Sequence, residues 1–207
     1  MFRRNNSCTL RAIHDNVNSR RKPIHLTLHE RKTTMKKALI VVDYQNDFVN
    51  GALGFEGAEK LEDIICEKIQ QYRKENGHII FTFDTHNENY LETMEGKNLP
   101  VVHCVKGTEG HKLYGKVAKM VDFDSYIFDK PTFGSLELAV FLKAEGYDVV
   151  ELCGLVSSIC VLSNAVMAKA ALPESRIIVD SKATSSFDME MNIKALDILK
   201  NLHITVL

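Results

Sequence analysis

Three side chains with complementary acid–base chemistry, Asp43, Lys130 and Cys160, each follow a short apolar run in this 207-residue chain. Asp43 comes after ALIVV, Lys130 just after YIF, and Cys160 after VVELCGLVSS. An α/β sheet collects the carboxyl ends of its strands in one crevice, so residues far apart in sequence can meet there. A thiol beside a carboxylate and an ammonium is a nucleophile with its own proton shuttle, suited to acyl transfer. Each residue also has a plainer reading: Cys160 as a buried core thiol, Asp43 as a cap, Lys130 as a surface amine. Taken together, the three favour chemistry.

Their local settings sharpen this. Cys160 lies where a strand turns into a helix, and the free amides and dipole of a helix start favour an anion. That placement predicts a lowered thiol pKa and backbone amides able to receive an oxyanion. Asp43 ends an apolar strand, so desolvation should raise its pKa towards that of a useful base. Asp47 is assigned a capping or loop role, and Cys153, inside a strand, a structural one. Pro131 holds Lys130 extended at its strand end.

A second group, Asp84, His86, Glu95 and His103, has the makings of a metal site. In the extended run DTH (84–86), residues i and i+2 point to the same side, so Asp84 and His86 can grip one ion. Glu95 and His103 follow within ETMEGKNLPVVHC (92–104), with Glu88 and Glu92 as competing carboxylates. A mixed nitrogen and oxygen shell suits Zn²⁺ first, with Fe²⁺ or Mn²⁺ also acceptable.

The elements that must position these groups alternate as strand and helix. The apolar runs at 38–42, 79–83, 126–128, 149–153, 177–180 and 204–207 predict strands, short and continuous as in a parallel sheet covered on both faces. Helical patterning covers 58–76, with Leu61, Ile64, Ile65, Ile69 and Tyr72 on one face and Gly77 as the left-handed stop. Further helices are predicted at 135–145 (ended by Gly146), 159–171 and 188–201. The segment 84–125 reads as a long loop with at most one short helix near 112–120; loops of that length are usually functional. The rhythm predicts a three-layer α/β/α fold around a central, mostly parallel six-stranded sheet.

Composition bounds the function. Eight of the 26 basic and two of the 27 acidic residues fall within 1–34, leaving the remainder with a net charge of −7. An acidic body without a basic stripe argues against nucleic acid as the main partner. No apolar run is long enough to span a membrane. The leader 1–34 lacks the apolar centre of a secretory signal and shows no helical apolar face for an organelle-targeting peptide. It is read as a disordered tail, or as the product of a start codon placed too far upstream, with the folded domain at 35–207. Five cysteines, an odd count without a CxxC pair, fit a reducing cytoplasm.

The motifs VVDYQNDF, KPTFGS and GLVSSICV occur in that order, each at a strand end. Over about residues 36–207 the chain resembles the isochorismatase-like cysteine hydrolases, and within them the nicotinamidases. That resemblance implies a catalytic triad of Asp43, Lys130 and Cys160. It implies a cis peptide at Val156–Ser157 that helps aim the Ser157 and Cys160 amides at an oxyanion, and Phe48 as a ring-contacting aromatic. It also implies a divalent metal on Asp84, His86 and His103, with Glu95 in the place of a glutamate that some members add. The implied reaction is hydrolysis of nicotinamide to nicotinate and ammonia through a cysteine thioester, in a cytoplasmic homo-oligomer. Two departures bear on the substrate: Thr85 stands where many nicotinamidases have Trp, and VSSIC replaces the more usual alanine-containing form. A metal-free hydrolase of another carbamoyl or ureido amide is the alternative within the fold. A catalytically idle binding protein is the alternative outside it.

Overall fold

The computed structural model describes residues 35–207; the basic leader lies outside the described residues. Six strands, β1 (Lys37–Val42), β2 (His78–Asp84), β3 (Tyr126–Lys130), β4 (Val149–Leu155), β5 (Arg176–Ser185) and β6 (Thr205–Val206), form one sheet. Their order is β3-β2-β1-β4-β5-β6 and every pairing is parallel. The chain winds outwards from β1 in one direction, then returns to lay β4 on the other side of β1. The β1/β4 boundary is therefore the topological switch point, where open α/β sheets place their ligand sites.

Alternation along β1 builds two cores. Leu39 and Val41 pack with Ile65 and Ile69 of α2 (Leu61–Lys74) on one face. Ala38, Ile40 and Val42 pack on the other face with Leu138 and Leu142 of α5, Ala165 and Ala168 of α6, and Leu199 of α7. These helices are α5 (Leu136–Glu145), α6 (Leu162–Ala171) and α7 (Met189–Asn201). Each fully buried Leu or Ile contributes about 1.5–3 kcal/mol, so this double burial fixes the register of the strands and with it the site at their ends. Three shorter helices, α1 (Asn46–Val49), α3 (Met94–Asn98) and α4 (Gly115–Ala118), lie in the connecting segments.

Most element expectations hold, with four differences. Helix α2 begins at Leu61 after a 3₁₀ turn, and its left-handed stop is Asn76 (φ 57°), not Gly77. Gly77 is the next residue and donates its N–H to Tyr72 O at 2.8 Å, closing the helix end. The predicted helix 159–171 starts as an α-helix only at Leu162, because Ser157–Val161 form a π-helical turn. The loop 84–125 holds two short helices, α3 and α4, not one. Strand β5 runs well past residue 180: a register shift opposite Leu152–Gly154 lets it continue, and Thr184 Oγ1 donates to Gly154 O at 2.8 Å.

Candidate active site and metal centre

Strand register places the first pair. Asp84 and Lys130 are ladder partners at the ends of β2 and β3. Asp43 follows directly on β1, with its backbone in the left-handed region (φ 44°) and its N–H on Thr82 O. Thr82 Oγ1 donates to Asp43 Oδ1 at 2.6 Å, which fixes the carboxylate plane. Beside Val42 stands Gly154 (φ 106°), where an added Cβ would lie 2.1 Å from Val42 O. Only glycine lets β4 approach β1 so closely and deliver the next segment over Asp43.

That segment carries Cys160 on the π-helical turn, and the three expected catalytic groups converge. Lys130 Nζ lies 2.7 Å from Asp43 Oδ2, 3.1 Å from Asp84 Oδ1 and 3.5 Å from Cys160 Sγ. It also donates to Thr132 O at 3.0 Å. Asp43 and Lys130 are fully buried, and Cys160 is 5% exposed. Lys130 and Asp43 form a buried ion pair through Oδ2, while Thr82 holds the other carboxylate oxygen.

The electrostatics follow from burial around one cation. Desolvation, then the Asp84 charge, push the Asp43 carboxyl up, while Lys130 opposes the shift. Burial and then the Asp43 charge push the Cys160 thiol well up, again against Lys130. Burial alone would lower the Lys130 ammonium, but Asp43, Cys160 and Asp84 outweigh it and hold it charged. The expected low thiol pKa is thus corrected. Cys160 sits in a buried π turn beside a carboxylate, and desolvation outweighs the dipole of a helix that starts later. Cys160 is thus held as a thiol, next to a carboxyl whose own affinity for the proton is raised.

The cis peptide is also corrected. It joins Leu155 to Val156, one bond earlier than expected. Strand β4 runs to Leu155 and the π turn begins at Ser157, so the chain must reverse within Val156. Ile159 and Val161 N–H both donate to Val156 O at 3.1 Å. Ser157 is buried and its hydroxyl donates to Asn192 Oδ1 at 2.5 Å.

The four candidate metal ligands also meet, their donor atoms all within 4.8 Å of one another. His86 Nε2 lies 3.0 Å and His103 Nε2 3.3 Å from Asp84 Oδ2, and Glu95 Oε1 lies 3.6 and 4.0 Å from the same two nitrogens. Bonds of about 2.0–2.2 Å to a tetrahedral ion put donors roughly 3.3–3.6 Å apart, so the set fits one small divalent cation. Glu95 Oε1 is the oxygen that faces the two histidines, and the buried Oε2 has no hydrogen-bond partner of its own. His103 Nδ1 lies 2.7 Å from Val101 O, which turns Nε2 towards the cluster.

Local structure explains the convergence. His86 pairs as a one-residue bridge with Val105, its N–H on Cys104 O and its carbonyl accepting from Lys106 N, which lays it beside His103. Glu95 sits in the first turn of α3, capped by Thr93 Oγ1 accepting from Gly96 N. Asp47, as expected, serves the loops: its Oδ2 accepts from Cys104 N at 2.7 Å. Burial would raise the Asp84 carboxyl, but hydrogen bonds from His103 and His86 and the Lys130 charge hold it well below the usual carboxylate range. His103 is shifted up, since its bond to Asp84 outweighs burial; Glu95 is shifted up by burial and then by Asp84.

A pH dependence of metal binding follows. A ligating imidazole must be neutral and a ligating carboxylate ionised, and both His103 and Glu95 hold their protons more tightly than free side chains do. Affinity for Zn²⁺ should fall by about tenfold per pH unit for each proton displaced once the pH drops below the raised His103 value. Competition against a chromophoric chelator at pH 8, 7 and 6 measures this; constant affinity would contradict it.

Cys160 and three of the four clustered side chains line one cavity of about 460 Å³, and Asp43 and Lys130 are buried outside its lining. Asp84, Glu95 and His103 line one part of it, Cys160 and Val156 another, and Phe48, Leu53, Leu99, Phe133, Ile159 and Phe187 supply apolar walls. Phe48, expected at a substrate ring, packs edge-on to His103 with centroids 5.6 Å apart. Among the described residues no helix is long and apolar enough to cross a membrane.

Three supporting residues escaped sequence reasoning. Gln45 Nε2 donates to Asp84 O and His111 O, and its Oε1 accepts from Asp84 N, so one amide clamps the Asp84 backbone. Thr82 orients Asp43. Tyr90 backs both histidines, with ring centroids 4.5 and 4.9 Å away. Gln45 in VVDYQNDF could have been found by its place two residues after Asp43; Tyr90 gives no signal.

Known proteins are similar to this chain in sequence and fold. An isochorismatase family protein, PncA, of Bacillus subtilis is 32% identical over 178 residues, covering 81% of this chain and 96% of its own length. The solved pyrazinamidase/nicotinamidase of Streptococcus mutans superposes with a TM-score of 0.75 at 31% identity, covering 83% of this chain and 100% of that one. The pyrazinamidase of Pyrococcus horikoshii, solved in complex with zinc, gives 0.73 at 27% identity, covering 83% and 98%. Residues 37–207 match the isochorismatase domain model, so the chain belongs to the isochorismatase family.

Proposed function

We propose that the protein is a metal-dependent amidohydrolase that converts nicotinamide to nicotinate and ammonia through a thioester on Cys160. One observation carries this reading: the buried Lys130 Nζ touches Asp43, Asp84 and Cys160 beside a cavity lined by Cys160 and by Asp84, Glu95 and His103 of a four-residue cluster of metal-ligating side chains. A nicotinamidase name among the similar solved structures, and zinc in another, support the same reading.

Asp43 takes the thiol proton, and sulfur attacks the carboxamide carbon. The Lys130 ammonium stabilises charge as it passes between sulfur and carboxylate. The Val156 and Cys160 amides, on the two of the three expected oxyanion residues that line the cavity, are the proposed oxyanion donors. As the C–N bond breaks, Asp43 gives its proton to nitrogen and ammonia departs. Asp43 then accepts a proton from water as it attacks the thioester; the C–S bond breaks, the acid leaves, and Asp43 returns the proton to the Cys160 sulfur. Asp84, His86, Glu95 and His103 would hold a divalent cation, Zn²⁺ by donor set, which supplies a Lewis-acid site for the pyridine nitrogen and so orients the ring. Phe48 and the apolar walls exclude water and pack the ring.

The buried four-donor set favours this over a metal-free carbamoyl or ureido hydrolase. The reading includes a homo-oligomer in a reducing cytoplasm, consistent with Cys66, Cys104, Cys153 and Cys160 being free thiols. A panel of small amides scored by ammonia release tests it. Nicotinamide should be turned over fastest, and activity should vanish with a chelator and return with Zn²⁺. Full activity after metal removal, with a ureido compound preferred, would overturn it.

A further inference from the structure

We propose that Asn164, on the first turn of α6, is a positioning residue that ties the turn bearing Cys160 to the loop that follows Lys130. The inference rests on the hydrolase reading above. Helical side chains lean towards the helix N-terminus, so Asn164 reaches back over the preceding turn. Its Nδ2 donates to Cys160 O at 2.8 Å and to Phe133 O at 3.0 Å, and its Oδ1 accepts from Ser135 N at 3.0 Å. The side chain is 1% exposed, and these bonds engage both amide hydrogens and the oxygen.

The two segments it joins carry different parts of the reaction. One presents the sulfur. The other leaves β3 at Lys130, supplies Thr132 O to the Lys130 ammonium, and places Phe133 in the cavity wall. The sulfur–ammonium contact is long, 3.5 Å, and shared with two carboxylates, so it cannot hold the backbones in register by itself. Asn164 bonds the main chain of both segments without touching the reacting atoms. Replacing it should let the sulfur drift from Lys130, and a misplacement of about 1 Å can cost on the order of 100-fold in rate.

Two variants test this. Asn164→Leu keeps the bulk and removes all three bonds. Asn164→Asp keeps the acceptor for Ser135 but offers no donor to the Cys160 and Phe133 carbonyls. Both should lower kcat by about 10–100-fold with KM changed less than about threefold. Both should also slow iodoacetamide alkylation of Cys160 by at least about threefold relative to wild type. Alkylation needs no substrate, so it reads positioning even if nicotinamide proves to be the wrong amide. If Asn164→Leu does not fold, Asn164→Asp carries both measurements. A folded variant with kcat and alkylation rate both within about twofold of wild type overturns the proposal, whatever its thermal stability.

Discussion

Replacing Cys160 with alanine should abolish ammonia release, lowering kcat by about 10⁴–10⁶-fold, the range seen when a covalent nucleophile is removed. Metal content and fold should be retained, because the change removes one atom at a cavity wall and leaves Asp43, Lys130 and Asp84 paired. The residual rate comes from a bound, oriented amide exposed to water. Stability should fall little, because the change removes one buried sulfur and unpairs no charge. Steady-state ammonia assays with thermal unfolding and metal analysis on the same preparation separate these outcomes. Turnover within tenfold of wild type would rule out nucleophilic catalysis by this residue.

Asp84→Ala should be nearly as damaging, for a different reason. Asp84 is the only described side chain that touches both halves of the site, with Oδ1 on Lys130 and Oδ2 beside His86 and His103. Its loss should empty the metal centre and unbalance the ammonium together. Breaking a buried ion pair from one side costs about 3–5 kcal/mol, and the lower end applies because Asp43 still pairs with Lys130. The expected result is less than one-tenth of the wild-type zinc content, kcat/KM down by about 10³-fold or more, and a clear shift of the urea midpoint. Because the carboxyl is depressed in the folded protein, its contribution is present above the ordinary aspartate pKa and is lost as the pH falls through the folded value. The gap in stability between wild type and Asp84→Ala, measured on metal-free protein, should therefore narrow in acid. A gap that is constant with pH would contradict the assigned ion pairs.

The sheet was legible because its strands are buried on both faces and read as unbroken apolar runs, and the candidate catalytic residues because each follows such a run. Asp84 follows from the same logic, one residue past IIFTF, and Lys130 two residues past YIF. What escaped prediction depends on geometry that spacing does not encode. Helix α3 is five residues long and contains Gly96, which periodicity cannot distinguish from loop, although Thr93 was a readable cap. The extension of β5 through SKATS looks like a polar turn; a register shift and the Thr184–Gly154 bond make it strand. The π turn under Cys160 has no sequence signature, and it displaced both the helix start and the expected direction of the thiol pKa. Gln45 and Asn164 carry amides that could cap any loop, and their roles emerge only when the backbones they clamp are side by side.

The proposed hydrolysis requires a covalent bond between Cys160 and the acyl group. Rapid acid quench of the zinc-loaded enzyme with nicotinamide, followed by peptide mass spectrometry, measures it directly. The peptide containing Cys160 should gain the mass of one nicotinoyl group during turnover and lose it as substrate is exhausted. Steady ammonia release with Cys160 unmodified at every quench time would contradict the account.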